Sequence, residues 1–250
     1  MSNYIDPETC LEVKYGLPAK VQFCKKCVLS NQRPQPTGEF RFTSKSAKLT
    51  TGFDEEGVCL ACRYAEMKDR VIDWQVREKE LIALCDRFRS NDGSYDCIVP
   101  GSGGKDSAFT SHVLKHKYGM HPLTVTWAPH VYTEIGWKNF QKWIHSGFDN
   151  ILVTPNGRVH QLLTKLAFEN LLHPFQPFVF GQRFAGLRMA QKFNIPLVFH
   201  GESPFEYGSS TLGEAEARGF EKSYFCGEGD LSRIFIGGVS VRDIIRDHGA

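Results

Sequence analysis

The sequence predicts an α/β protein, with a parallel sheet flanked by helices, preceded by a small cysteine-rich module. Three observations predict it. From Tyr95 onward, short apolar runs alternate with stretches of helical periodicity, the pattern of a parallel sheet covered on its faces. A glycine-rich turn joins the first apolar run to the helical stretch after it. Two C-x-x-C pairs lie upstream of both. The boundary falls near residue 70: residues 1–70 form the module and residues 71–250 the α/β domain.

The elements follow in order. The first 65 residues are rich in Gly, Pro, Thr and Lys, and "EFRFTS" alternates apolar and polar residues as one arm of a hairpin does. Between Ile72 and Arg89, apolar side chains recur at helical spacing, with Val71, Trp74, Leu81, Leu84, Cys85 and Phe88 sharing much of one face, and "SNDG" ends that helix. "YDCIVP" is a buried strand by composition. "SAFTSHVLKHKYG" is a helix stopped by Gly119, "HPLTVTWAP" a second strand, "IGWKNFQKWIHSGF" a second helix and "NILVTP" a third strand. Residues 158–172 and 181–193 read as two helices, and "IPLVFHGE" as a fourth strand. Ligands of such sheets sit at the carboxyl ends of the strands. The glycine-rich turn and "HGES" both fall there.

Composition narrows the classes. Hydrophobic residues are 41% of 250, as in a globular protein. No apolar run is long enough to span a bilayer, and "MSNYIDPETC" lacks the basic start and apolar core of a secretory signal, so a cytoplasmic location is expected. Residues 1–92 carry 15 basic and 14 acidic side chains, and so do residues 93–250, so no half carries the basic excess of a polyanion binder. No nucleic-acid partner is expected.

The turn "PGSGGKDSAF" carries the chemistry. A nucleoside-triphosphatase loop, G-x-x-x-x-G-K-[ST], fails here: its first glycine would be Val99, and Asp106 stands where Ser or Thr should follow Lys105. Ser102-Gly103-Gly104-Lys105-Asp106-Ser107 instead matches S-G-G-x-D-S, the PP-loop motif of ATP pyrophosphatases. Its glycines let the backbone curl around an anion, and the helix that follows adds N–H groups and a positive dipole end. Ser102, Ser107 and Lys105 are further donors. Asp106 makes sense beside phosphate if it holds a cation such as Mg2+.

Cys24, Cys27, Cys59 and Cys62 have the paired spacing of a four-thiolate Zn2+ site, which would be structural because it leaves no open coordination position. An iron–sulfur cluster is the alternative for the same ligands. Cys97 reads as a core residue, Cys226 as a loop thiol, and His112 and His116 as a surface or packed pair. Gln182 and Arg183 stand at an expected helix start, where they can meet a phosphate or sugar. Glu202 directly follows a strand, and Glu206 lies four residues on. Two acids beside a nucleotide site suit metal binding, proton transfer or orientation of an amine.

Taken in order, the cysteine pairs, "FDEEGVCLACRYAE", "SGGKDS", "GQR" and "HGESPFEYG" resemble the N-acetyl sugar amidotransferases of bacterial surface-polysaccharide (lipopolysaccharide, O-antigen) biosynthesis, members of the PP-loop ATP pyrophosphatase superfamily. The likeness runs from Phe23 to Gly208. It implies a Rossmann-like sheet and an enzyme that converts the acetamido group of a nucleotide-linked sugar to an acetamidino group. ATP would adenylate the amide oxygen, and ammonia would displace AMP. It implies that Gly101, Ser102, Gly103, Gly104, Lys105, Asp106 and Ser107 bind the ATP phosphates, that Asp106 holds Mg2+ and that Thr126 or Trp127 lines the adenine site. Glu202 and Glu206 would handle metal or ammonia. No cysteine sits on a G-x-C-x-G nucleophile turn, and Met1-Ser2 offers none at a mature N-terminus, so ammonia is expected from a separate glutaminase subunit, with a cyclase-like channel protein. Relatives of this kind extend further at the C-terminus, so a C-terminal extension is expected to be missing here. Two other readings compete: a PP-loop tRNA thiolase, which needs a reactive cysteine and a basic surface, and a non-catalytic zinc scaffold.

Overall fold

The computed structural model describes residues 17–33, 43, 45, 50–202 and 230–249. They fall into two compact units: one holds the described residues up to Ile72, the other residues 73–202 and 230–249. The expected hairpin arm at 39–44 lies outside the described residues, apart from Thr43.

Among its described residues, the first unit has two short turns and a helix. Phe23 and Ser30 form an antiparallel bridge around the first cysteine pair, and Phe53 and Cys59 form another just before the second. Gly57, at φ +79°, closes the tight turn of the latter, where Asp54 accepts from the Gly57 and Val58 amides. Helix α1 (Leu60–Arg70) follows, with Lys68 and Arg70 in its last turn, where cations suit the carbonyl end. Its core is small: Cys24, Val58 and Cys59, flanked by Leu29, Phe53 and Ala61.

The second unit opens with α2 (Trp74–Phe88), capped by Asp73, whose carboxylate accepts from the Gln75 and Val76 amides. Three parallel strands follow: β1 (Cys97–Pro100), β2 (Pro122–Trp127) and β3 (Asn150–Val153), hydrogen-bonded in the order β1-β2-β3. Helices α3 (Lys105–His116), α4 (Glu134–Ile144), α5 (Gly157–Leu171) and α6 (Gln176–Lys192) alternate with and follow them. Near-continuous burial of β1 and β2 reflects covering on both faces. One apolar cluster joins Ile98, Leu123 and Val125 to Ala185, Met189, Ala190 and Ile195, and a second joins Cys85, Cys97, Val99, Leu114 and Met120. A hairpin of β4 (Phe235–Ile236) and β5 (Val239–Ser240) leads into α7 (Val241–His248). It is tied to α6 by the Gly237 amide, which donates to the buried Gln176 side chain at 2.6 Å.

Two expectations are corrected. The stretch expected as a fourth strand pairs with β1 through one parallel bridge, Ile98 to Val198, with Ile98 N donating to Leu197 O and Phe199 N to Ile98 O, both at 2.8 Å. The ladder stops on its N-terminal side because the Asp96 amide donates to His121 O and Ile195 N closes the end of α6 on Ala190 O, and the chain bends at Gly201 just after this stretch. The last long helix starts at Gln176, with proline in its first turn, and not at residue 181.

Candidate functional site

The four paired cysteines converge. Their sulfur atoms all lie within 4.8 Å of one another, with Cys24 Sγ 3.9 Å from Cys62 Sγ and Cys27 Sγ 3.6 Å from Cys59 Sγ. None is in a disulfide. A tetrahedral zinc with Zn–S near 2.3 Å requires sulfur–sulfur edges of about 3.8 Å, so the four thiols are already spaced to hold such an ion. The backbone is arranged for negative sulfur: the Lys26 and Cys59 amides each donate to Cys24 Sγ at 3.3 Å, and the Leu29 amide to Cys27 Sγ at 3.5 Å. Cys59 is the N-cap of α1 and Cys62 lies in its first turn, at the positive end of the helix. Burial works against a Cys24 thiolate, but the Cys59, Lys26 and Cys27 amides outweigh it and bring its pKa down to about 6. Burial pushes Cys59 and Cys62 up, and neighbouring thiols add to this. A divalent cation relieves that crowding. Lys26, between the first two cysteines, pairs with Glu66 on α1.

The glycine-rich turn lies at the carboxyl end of β1, and its steric demands are strict. A Cβ on Gly101 would fall 2.2 Å from Ser107 Cβ and 3.1 Å from Trp143 Cη2. Gly103 has φ +81°, and a Cβ there would lie 2.8 Å from Phe140 Cα. Gly104 is the N-cap of α3 and supplies no capping side chain, so the first turn of that helix has no side-chain oxygen seated on its amides. Ser107 Oγ donates to Gly104 O at 3.2 Å. Behind the loop, Trp143 Nε1 donates to the fully buried Ser111 Oγ at 2.8 Å, which donates in turn to Ser107 O at 2.9 Å. That chain of bonds braces the first turn against α4. Lys105 is 89% exposed at its side chain and lies 2.6 Å from the Asp106 carboxylate, which is itself partly exposed. A carboxylate in the first turn of a helix whose amides lack a cap can serve a cation held beside an anion.

The second segment expected at this end does meet the loop. A Cβ on Gly201 would stand 2.9 Å from the Asp106 carbonyl carbon and 3.1 Å from Ser107 N. The residue before Glu202 is therefore packed on the backbone of the α3 first turn, and Glu202 is exposed beside it. Glu206 and Cys226 lie outside the described residues. Gln182 and Arg183, expected at a helix start, are in the interior of α6. Helix α6 lies at the carboxyl ends of the strands, where Gly181 packs on the Trp127 ring and Gly186 on Pro100; Arg183 is close enough to His200 to help lower its pKa, after desolvation, whereas Gln182 is exposed. Thr126 is only 1% exposed, and its hydroxyl accepts from Asn150 Nδ2 at 3.0 Å, so its side chain is engaged within the sheet. His112 and His116 stack with centroids 4.5 Å apart.

Gly201, Ser111 and Trp143 escaped the sequence reading as parts of this site. Only the glycine carried a signal, its place directly after an apolar run. A further feature had none. Trp127 Nε1 and His160 Nε2 are buried without hydrogen-bond partners, in an aromatic group with His130, Phe175 and Phe178. Buried polar groups left so cost about 1–3 kcal/mol each, and they mark the carboxyl end of β2 as polar and unfinished. Desolvation, then His130, lowers the His160 pKa.

No family model matches the chain. An uncharacterized protein of Methanocaldococcus jannaschii is 30% identical over 83 residues, which is 33% of this chain and 29% of that protein. Among the described residues, no helix is long and apolar enough to cross a membrane.

Proposed function

We propose that this protein is an ATP-dependent amidotransferase of the PP-loop type, acting on the acetamido group of a nucleotide-linked N-acetyl sugar. The observation that carries the reading is the cradle at the α3 N-terminus, where Gly101, Gly103 and Gly201 each approach other atoms too closely for any side chain. Close backbone approach of two segments, one at the carboxyl end of β1 and one just past the single bridge at Val198, suits a polyphosphate.

In this reading the amide oxygen attacks the α-phosphorus of ATP, a P–O bond forms and pyrophosphate leaves with the electrons of the cleaved bond. Ammonia then adds to the imidate carbon, and AMP leaves with the former amide oxygen, giving the amidine after proton loss. Adenylation is required because an amide carbonyl is a weak electrophile with a poor leaving group. The loop amides, Ser102 and Lys105 hold the departing pyrophosphate. Asp106 is the residue that would hold Mg2+, which when bound neutralises phosphate charge. Glu202 orients ammonia, and Gln182 and Arg183 meet the sugar nucleotide. The four-cysteine centre, with Zn2+, fixes the first unit. Cys97 is wholly buried and its thiol is pushed up to about 12 by desolvation, and Cys85 is raised for the same reason, so neither serves as a glutaminase or sulfur-transfer nucleophile. Ammonia then comes from a separate glutaminase.

The test is product analysis with ATP, Mg2+, ammonium and a panel of nucleotide-linked N-acetyl sugars. AMP, pyrophosphate and a sugar about one mass unit lighter are expected, and Asp106→Ala should lower turnover by at least ~100-fold with the fold intact. ADP and phosphate as products would sink the reading.

A further inference from the structure

We infer that the groove between α3 and α4 seats a second nucleotide, the nucleoside diphosphate that carries the sugar; this rests on the proposed function, which needs two nucleotides at once. The groove encloses about 420 Å³ and is lined by Phe109 and His112 from α3, by Lys142, Ser146 and Phe148 from α4 and the turn after it, and by Gly103 of the loop. That volume is within the ~300–1,000 Å³ of small-molecule sites.

Its chemistry selects the ligand. Phe109 is 68% exposed on an otherwise regular helix, an aromatic face left for a flat ring to cover. Lys142 lines the groove and no acidic side chain does. A ligand with a planar ring and negative charge satisfies both features. Ser146 Oγ donates to Trp143 O at 2.7 Å, which leaves its oxygen to accept from a hydroxyl such as that of a ribose. The position suits a second substrate of the same reaction. Gly103, whose backbone touches Asn139 and Phe140 of α4, is shared between the groove and the phosphate cradle, so a nucleotide here lies beside ATP without displacing it.

The experiment titrates the full chain by calorimetry with UDP, GDP and dTDP, and separately with ATP, in the wild type and in Phe109→Ala and Lys142→Ala. Both positions are on the surface, and thermal melts check that the variants fold. One diphosphate should bind with ATP present, each variant should weaken it by tenfold or more, and ATP affinity should stay within twofold. Unchanged diphosphate binding in both variants, or competition between the diphosphate and ATP, overturns the groove and leaves the adenylation reading standing. Binding of ATP without any of the three diphosphates also overturns the groove. Failure to bind ATP at all overturns the reading itself, and this inference with it.

Discussion

The cysteine centre and the glycine-rich loop solve the same problem in opposite ways. Both are tight turns next to the N-terminus of a helix, and in the proposed function both serve negative charge. At Cys24 the anion is built in: the Lys26 and Cys59 amides meet the sulfur at 3.3 Å each. At Gly101–Ser107 no such group is built in: the glycines pack closely on Ser107 and Phe140, and the first turn of α3 carries no capping side chain. The first site therefore points to its ligand through its own donor set, four thiols at tetrahedral spacing. The second has no such donor set, and its ligand rests on the proposed function.

The largest effect should come from breaking the built-in site. Cys59→Ser, or a strong chelator, should unfold the first unit, because its apolar core is small and binding of a structural zinc by peptides of this kind supplies ~10 kcal/mol or more. Elemental analysis should give about one zinc per chain in the wild type and none in the variant. Chain that lacks metal yet keeps full protease resistance up to Ile72 would show that the apolar contacts suffice. Iron with sulfide from anaerobic preparations would replace the zinc assignment.

Acid should have the next largest effect. Zinc needs thiolates, and Cys59 and Cys62 have raised pKa values without it, so binding expels at least their two protons near neutrality. Affinity should then fall as pH falls, by about 100-fold per unit for two protons. Below about 6 the slope should steepen as Cys24 takes a proton too. Zinc release followed with a chromophoric chelator between pH 5 and pH 8 measures the slope; a flat profile would mean that the sulfurs do not hold the metal.

The smallest stability effect should come from crowding the loop. Gly101→Ala puts a Cβ 2.2 Å from Ser107 Cβ. Overpacking of this kind costs ~1–3 kcal/mol, visible as a lowered melting temperature, while ATP binding should be lost almost completely because the first turn of α3 must shift. A variant that melts lower but binds ATP normally would separate the loop from the phosphates and break the comparison.

By itself, the sequence determined whatever depends on near neighbours. Strand and helix periodicity is a property of residues two to four apart, and it located β1 to β3 and α2 to α5 closely. The C-x-x-C pairs and the S-G-G-K-D-S run are likewise local patterns, visible without knowing what they meet. Tertiary structure decided everything set by the volume and polarity of distant residues. It brought sulfurs 38 positions apart to 3.9 Å, and it seated Gly201 against Asp106 and Ser107. It turned Thr126 into a sheet-internal group because Asn150, in register with Thr124, donates to its hydroxyl, and moved Gln182 and Arg183 into a helix interior because the helix begins at Gln176. A strand-like run after Pro196 became a single bridge, since the backbone groups that would extend it are engaged elsewhere, Asp96 N with His121 O and Ile195 N with Ala190 O. Local patterns fix which conformations the backbone prefers, and only packing fixes which atoms meet.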